Sequence, residues 1–297
     1  MTILITGIEG QLGNALVNSK PKEIDIFGLK RTDFDLEDFS SCRDFVKTKK
    51  PNWIINTAAF TDVNRAECEQ EKTYKVNCYG VANIVEAAAS YGGKIIHLSS
   101  DFVFDGIHKN SYKPSDKCNP INVYGHSKYK AEKLIIKHPN VIILRTSWLY
   151  GPVGKNFCLS ILKTCKLISK DQKPLKVVSD QIGCPTSSMD LAEACWKFIR
   201  FLNVKDYSSE IFHWCNSGII SWFDFAKAII ELGLEYGLLS EGVEIIPIKS
   251  KDYKSNAKRP LFSVLDCEKT EKLLKIDQRY WKDSLKEVIR LIKKEDI

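Results

Sequence analysis

The stretch Thr2-Ile3-Leu4-Ile5-Thr6-Gly7-Ile8-Glu9-Gly10-Gln11-Leu12-Gly13 decides the fold. Thr2 to Thr6 is a short apolar run ended by a glycine, as a buried parallel strand is. Leu12 to about Lys20 has a helical pattern. Gly7, Gly10 and Gly13 therefore fall on the turn between a first strand and a first helix. Glycine lets that turn tighten and lets the backbone approach a pyrophosphate, whose charge then lies at the helix N-terminus. A glycine triplet alone says little. Its position between strand and helix gives it weight.

Outward from this turn, strand and helix patterns alternate. Strands are predicted at Ile24–Leu29, Trp53–Thr57, Lys94–Ser99 and Val141–Arg145. Between them lie helices at 40–49, 73–91 and 122–137. The connections are too long for hairpins, so the class is α/β, a doubly wound parallel sheet of Rossmann type. After Gly151-Pro152 the rhythm loosens. Helices are predicted at 156–167, 188–202, 222–232, 269–274 and 281–294, and strands at 176–179 and 210–215. This predicts a second, smaller domain interleaved with the first. Residues 1–150 with returning segments at about 175–220 form the dinucleotide-binding unit; about 151–174 and 221–297 form the substrate-binding unit.

Composition sets the wider bounds. The 297 residues are 44% hydrophobic and 27% charged, an ordinary globular balance that excludes disorder as the main state. The net charge of +7 is modest, and no polybasic run accompanies it, so nucleic acid is not an expected partner. Ten cysteines without a C-x-x-C pair read as free thiols of a reducing compartment. With no apolar run near 18 residues and no charged leader, the expected setting is cytoplasmic, with no membrane partner.

Two Tyr-x-x-x-Lys pairs occur, Tyr124/Lys128 and Tyr129/Lys133. They lie about 140° apart on one helix, so both cannot face one cleft. Tyr124 follows Pro120 at the mouth of the helix, and Ser100 ends the fourth strand, where such sheets meet their ligands. Tyr124 with Lys128 is therefore the chosen pair. A ketone that accepts hydride develops negative charge on oxygen and needs a positioned acid. Tyr124 fits that role, Lys128 would lower its pKa and hold a ribose, and Ser100 would orient the ketone oxygen. Asn77 is a candidate for a relay. Lys30 and Arg31 close the second strand and suit a 2′-phosphate, which points to NADPH with NADH as the alternative. Asp35 and Leu36 would face the adenine.

Several longer stretches go beyond these general signals. Leu98-Ser99-Ser100-Asp101-Phe102-Val103-Phe104-Asp105-Gly106, Arg145-Thr146-Ser147-Trp148-Leu149-Tyr150-Gly151 and Asp180-Gln181-Ile182-Gly183-Cys184-Pro185-Thr186 are the most specific. With Asn56 to Val63, Tyr124 to Lys128 and Lys258-Arg259-Pro260 they run in order along nearly the whole chain. In these the chain resembles the dTDP-4-dehydrorhamnose reductase family of extended short-chain dehydrogenase/reductases. The resemblance implies NADPH-dependent reduction of the C4 ketone of dTDP-4-dehydro-6-deoxy-L-mannose to dTDP-L-rhamnose, for cell-surface polysaccharide. It implies Ser100, Tyr124 and Lys128 as the catalytic set. Gly7, Gly10, Gln11, Leu12 and Gly13, with Ala58, Ala59 and Val63, would line the cofactor. Asp101, Phe102, Trp148 and Arg259 would meet the sugar nucleotide, with Trp148 stacking on the sugar and Arg259 pairing with the diphosphate.

Some positions depart from the family. Ser100 stands where Thr is common, Phe102 where Tyr is, and Phe262 where Asn is frequent. Glutamates that bind magnesium at a dimer contact in some members are replaced by Ala15 and Met189, which cannot ligate a hard cation. No metal is therefore expected, and the oligomeric state stays open between monomer and homodimer. Rival readings are an epimerase, a reductase giving the 6-deoxy-talose epimer or acting on another nucleotide-sugar, and a non-enzymatic NADP-binding protein like the regulatory subunit of methionine adenosyltransferase. Consumption of NADPH separates the classes.

Overall fold

The computed structural model describes residues 1–168, 173–203 and 208–292. The parts of the expected units at 169–172 and 204–207, and the expected helical residues 293–294, lie outside the described residues. In chain order the strands are β1 Thr2–Thr6, β2 Asp25–Leu29, β3 Trp53–Asn56, β4 Lys94–Ser100, β5 Val141–Thr146, β6 Leu149–Tyr150, β7 Leu175–Val178, β8 Ile182–Gly183, β9 Thr186–Ser187, β10 Glu210–His213, β11 Ile220–Ser221 and β12 Ile245–Ile248. The helices are α1 Gln11–Asn18, α2 Phe39–Lys49, α3 Val63–Cys68, α4 Gln70–Tyr74, α5 Val81–Ala89, α6 Val123–Ile135, α7 Phe157–Ile168, α8 Ser188–Asn203, α9 Trp222–Glu235, α10 Glu268–Leu274 and α11 Trp281–Leu291.

Six strands form one parallel sheet in the order β2-β1-β3-β4-β5-β10. Both faces are covered, so successive strand residues are apolar on either side. Ile3 and Ile5 point into a core shared with α1 and α8, while Leu4 points into one shared with α2 and α5. The chain leaves β1 toward β2, then crosses to β3 on the other side. That reversal opens a crevice at the carboxyl ends of β1 and β3, where open α/β sheets take ligands. A further core gathers Tyr150, α7, α9 and α11. Val177 of β7 packs in that core, and Leu274 of α10 packs in the first. The parallel pair β7–β12 lies outside the six-stranded sheet.

One predicted element differs. The continuous helix expected over 73–91 is interrupted by a wide π-helical turn at Lys75–Gly80, between α4 and α5. The wide turn brings Gly80 against Leu36, where a Cβ on the glycine would come within 2.4 Å of the Leu36 carbonyl oxygen. It also carries Asn77, whose amide bonds both backbone groups of Phe60, at 2.7 and 3.0 Å, and the Ser127 hydroxyl at 3.1 Å. Among the described residues no helix is long and apolar enough to cross a membrane.

The sheet and α6 are joined by a buried ion pair. Arg145 of β5 meets Glu132 of α6 in a two-point fork, Nε to Oε1 at 2.9 Å and an outer nitrogen to Oε2 at 2.6 Å. Both side chains are 2% exposed, and Ser99 donates a further bond to Oε1 at 2.5 Å. Removing one partner strands a charge away from water. Glu132→Gln should lower unfolding stability by about 3–5 kcal/mol, read from the urea midpoint at constant slope.

Candidate active site

The glycine loop is built as its spacing predicts. Gly7 has φ +68° and sits against Ala58, whose Cα would lie 3.0 Å from an added Cβ. Gly13 lies so close to the Gly7 carbonyl that a Cβ there would stand 2.3 Å from its oxygen. Gly10 caps α1 without a side-chain hydrogen bond, so the first-turn N–H groups are left to a ligand. Gln11 reaches the Leu149 carbonyl at 3.4 Å and ties the loop to the segment after Trp148. Leu12 is buried beneath the loop. At the end of β2, Arg31 pairs with Glu37 at 2.7 Å and Asp35 at 3.5 Å, while Leu36 turns inward to the core of α2 and α5. Lys30 is exposed beside them. Ala58 and Ala59 follow β3, and Val63 opens α3 behind its cap Asp62.

The second group lies at the end of β4. Ser100 is the last residue of the strand and donates to Asp101 Oδ1 at 2.8 Å, while its oxygen accepts the Phe102 N–H at 3.2 Å. Asn122 starts α6 as its N-cap, accepting the Gly125 N–H at 2.8 Å, and its amide nitrogen holds the Lys258 carbonyl at 2.9 Å. Gly125 allows the helix to close on the strand end; a Cβ there would come within 2.1 Å of the Phe102 carbonyl oxygen. Tyr124 is thereby brought close enough to Ser100 for the serine hydroxyl to act on its pKa, and its ring meets Phe102 edge-on at 5.6 Å. One turn on, Lys128 is buried; its Nζ donates to the Leu98 carbonyl at 2.5 Å and lies 3.3 Å from His97 Nε2. Tyr129 and Lys133, the rival pair, meet instead as a cation over a ring at 4.7 Å.

Burial sets the protonation of this group. It pushes the Tyr124 hydroxyl up to about 12, with the Ser100 hydrogen bond pulling it back and Asp101 adding to the rise. It pulls Lys128 down to about 8, against the opposing charges of Glu132 and Cys78. It lifts Asp101 to about 6, with the Ser100 hydrogen bond and the nearby Ser263 hydroxyl acting the other way. The expectation that Lys128 lowers the tyrosine pKa is thus not met. Desolvation of the phenol outweighs a cation whose nearest polar contacts are Leu98 and His97. Near neutrality the phenol keeps its proton and the ammonium keeps most of its charge, which is the state a proton donor needs.

Arg259 comes from the far end of the chain. Its Nε is buried without a hydrogen-bond partner, and burial lowers its pKa, with Tyr253, Asp62 and Asp101 acting the other way. A guanidinium with unused donors fits an anion. Trp148 has φ +47° and stacks on Trp222 at 3.5 Å with ring planes 5° apart. Gly183 packs onto the same indole. Sequence reasoning did not find Trp222, which reads as an ordinary first residue of a helix, nor His97 and Asn56, which read as strand residues. Their signal was a polar or oversized side chain inside an apolar run. Among the described residues, no group of three His, Cys, Asp or Glu side chains is placed to hold a metal ion.

A glycine turn on the first strand of such a sheet, with serine, tyrosine and buried lysine converging at the carboxyl end of the fourth, defines an extended short-chain dehydrogenase/reductase. Comparison with known proteins narrows the class. A family model described as the RmlD substrate binding domain matches residues 1–294. The dTDP-4-dehydrorhamnose reductase of Aggregatibacter actinomycetemcomitans is 36% identical over 290 residues, 96% of this chain and 97% of that one. Among solved structures, the dTDP-4-dehydrorhamnose reductase of Clostridium acetobutylicum is 38% identical, with TM-score 0.87 over 98% of this chain and 99% of that one. The enzyme of the same name from Bacillus anthracis, in complex with NADP, is 33% identical, with TM-score 0.86 over 97% and 98%. The chain belongs to the dTDP-4-dehydrorhamnose reductase family.

The close fit of Gly183 to the indole generates a structural test. A methyl at Gly183 would stand 2.5 Å from Trp148 Cε2, so the indole must move. Gly183→Ala should weaken the exciton couplet that the stacked Trp148–Trp222 pair produces in far-UV circular dichroism, with Trp222→Leu as the zero reference. An undiminished couplet in the alanine variant would show that the ring is not held there.

Proposed function

We propose that the protein reduces the C4 ketone of dTDP-4-dehydro-6-deoxy-L-mannose to dTDP-L-rhamnose with NADPH. The observation that carries this reading is the convergence of Ser100, Tyr124 and buried Lys128 beside a glycine cradle that a Cβ would fill. The family relatives supply the substrate class, and the NADP complex of the Bacillus anthracis enzyme supports the cofactor. Bound there, NADPH would supply the hydride.

In this reading Gly7, Gly10, Gln11, Leu12 and Gly13 hold the pyrophosphate, and Lys30, Arg31 and Asp35 surround the adenosine end, with Leu36 packed beneath them in the core. Ala58, Ala59 and Val63 line the cofactor on the β3 side. Tyr124 donates its proton to the ketone oxygen as negative charge develops there. Ser100 would turn its hydroxyl from Asp101 Oδ1, to which it donates in the structure, to orient the same oxygen. Lys128 holds the nicotinamide ribose with its ammonium. Arg259 pairs with the diphosphate, and Asp101, Phe102 and Trp148 border the sugar. The unit around the α7, α9 and α11 core carries the substrate side. The reading places a monomer or homodimer in the cytoplasm, acting on a nucleotide-sugar. Loss of NADPH absorbance with the 4-keto sugar nucleotide, and NMR of the product, test it; NADPH binding without turnover would favour a non-enzymatic role.

Tyr124→Phe should cut turnover by about 10²–10⁴-fold, the usual loss for a missing general acid, with NADPH affinity nearly unchanged. Near-normal turnover would remove Tyr124 from this role. The pH profile of kcat/KM should fall above about 8. Above that value Lys128 loses its charge. A profile still rising at pH 9 would contradict the need for a charged Lys128.

A further inference from the structure

Lys128 ends against a buried chain of polar groups that runs from His97 through Asn56 to Thr6. His97 and Thr6 are fully buried, and Asn56 is 1% exposed. The chain has a direction. The backbone N–H of Ala58 can only donate, and it donates to Thr6 Oγ1 at 3.2 Å. The Thr6 hydroxyl then places its own proton on Asn56 Oδ1, 2.7 Å away. That turns the Asn56 amide nitrogen toward His97 Nδ1, at 3.0 Å. An amide nitrogen donates, so Nδ1 carries the lone pair. Burial and the charge of Lys128 keep the imidazole neutral, so its one ring proton sits on Nε2. Nε2 faces Lys128 Nζ at 3.3 Å.

We infer that His97 is a positioning residue that presents a fixed N–H, rather than a lone pair, to the amine of Lys128, and thereby disfavours the ammonium form. The inference rests on the reading of Lys128 as part of the catalytic set. The other groups around this lysine act differently. Glu132, one turn on, favours the charge but is itself held by Arg145; the Cys78 thiol of the wide turn also favours it; Tyr124 lies one turn before on the same helix. The Leu98 carbonyl accepts from the amine whether or not it is charged. His97 is the neighbour whose donor and acceptor roles depend on a tautomer, and Thr6 sets that tautomer from two residues away.

The test has two arms in the full-length protein. With 15N-labelled histidine, long-range 15N–1H NMR should show His97 protonated at Nε2 and bare at Nδ1, the signal being assigned by its loss in His97→Gln. A protonated Nδ1 overturns the inference. Thr6→Val removes the anchor without adding charge, so Asn56 can turn its oxygen to Nδ1 and the ring can offer Lys128 a lone pair. The alkaline limb of kcat/KM should then move up by about one pH unit, the scale of one hydrogen bond to a charged group. An unmoved limb in the folded variant overturns the inference. If Thr6→Val does not fold, the wild-type tautomer decides. Wild-type protein that reduces no nucleotide-sugar would defeat the proposed function and leave the tautomer result standing on its own.

Discussion

Glu132 and Arg145 meet out of contact with water, and the placement of Tyr124 and Lys128 depends on that meeting. Glu132 sits on the helix that starts with Tyr124 and Lys128. Arg145 sits on the strand that leads into Trp148. A two-point fork permits little sliding or rotation, so the helix is held to the sheet in one register. Two apolar side chains of similar volume would hold the layers together at no greater cost, because desolvating both ions offsets much of their attraction. What the fork adds is direction. It sets the height of α6 along β5, and with it the reach of Tyr124 to the end of β4.

The same burial that makes the fork costly shapes the chemistry above it. Desolvation pushes the tyrosine away from ionisation and the lysine toward neutrality, so both are driven to their uncharged forms. A tyrosine that keeps its proton is ready to give it. A lysine near the edge of losing its charge responds to small changes around it, which is why a neutral imidazole at 3.3 Å matters. The family motif names the tyrosine and the lysine. Their protonation states come first from burial, with Glu132 and Cys78 acting on the lysine and Ser100 and Asp101 on the tyrosine.

Much of the first half was legible because its strands are buried on both faces and read as apolar runs. The sheet, its parallel sense and the glycine turn follow from that pattern, and β1 to β5 fall where the runs do. The short pairs β6–β9 and β8–β11 were not legible, because two residues carry no period. β12 was missed for another reason: Ile245–Ile248 includes Pro247 and is only partly buried, so it lacks the closed apolar look of the central strands. In the site, Ser100, Tyr124 and Lys128 stood out through spacing and strand ends. Choosing Tyr124/Lys128 over Tyr129/Lys133 needed helix geometry. Thr6, Asn56 and His97 lie on three strands that are far apart in sequence. Their contacts arise only when the sheet orders β1, β3 and β4 side by side.

The wide turn at Lys75–Gly80 has a consequence for how this chain can vary. A residue added to or removed from a regular helix rotates everything beyond it by about 100°, which breaks the contacts of one side or the other. Here the helix must satisfy two fixed partners. Asn77 meets the loop at Phe60, and Gly80 meets Leu36. A looser turn between the two lets each keep its own angular position. A single deletion between Asn77 and Gly80 would force a choice between the loop at Phe60 and the packing against Leu36, in the connection from β2 to α2. The segment behaves as a joint in the genetic sense, a point where chain length is fixed by two partners at once.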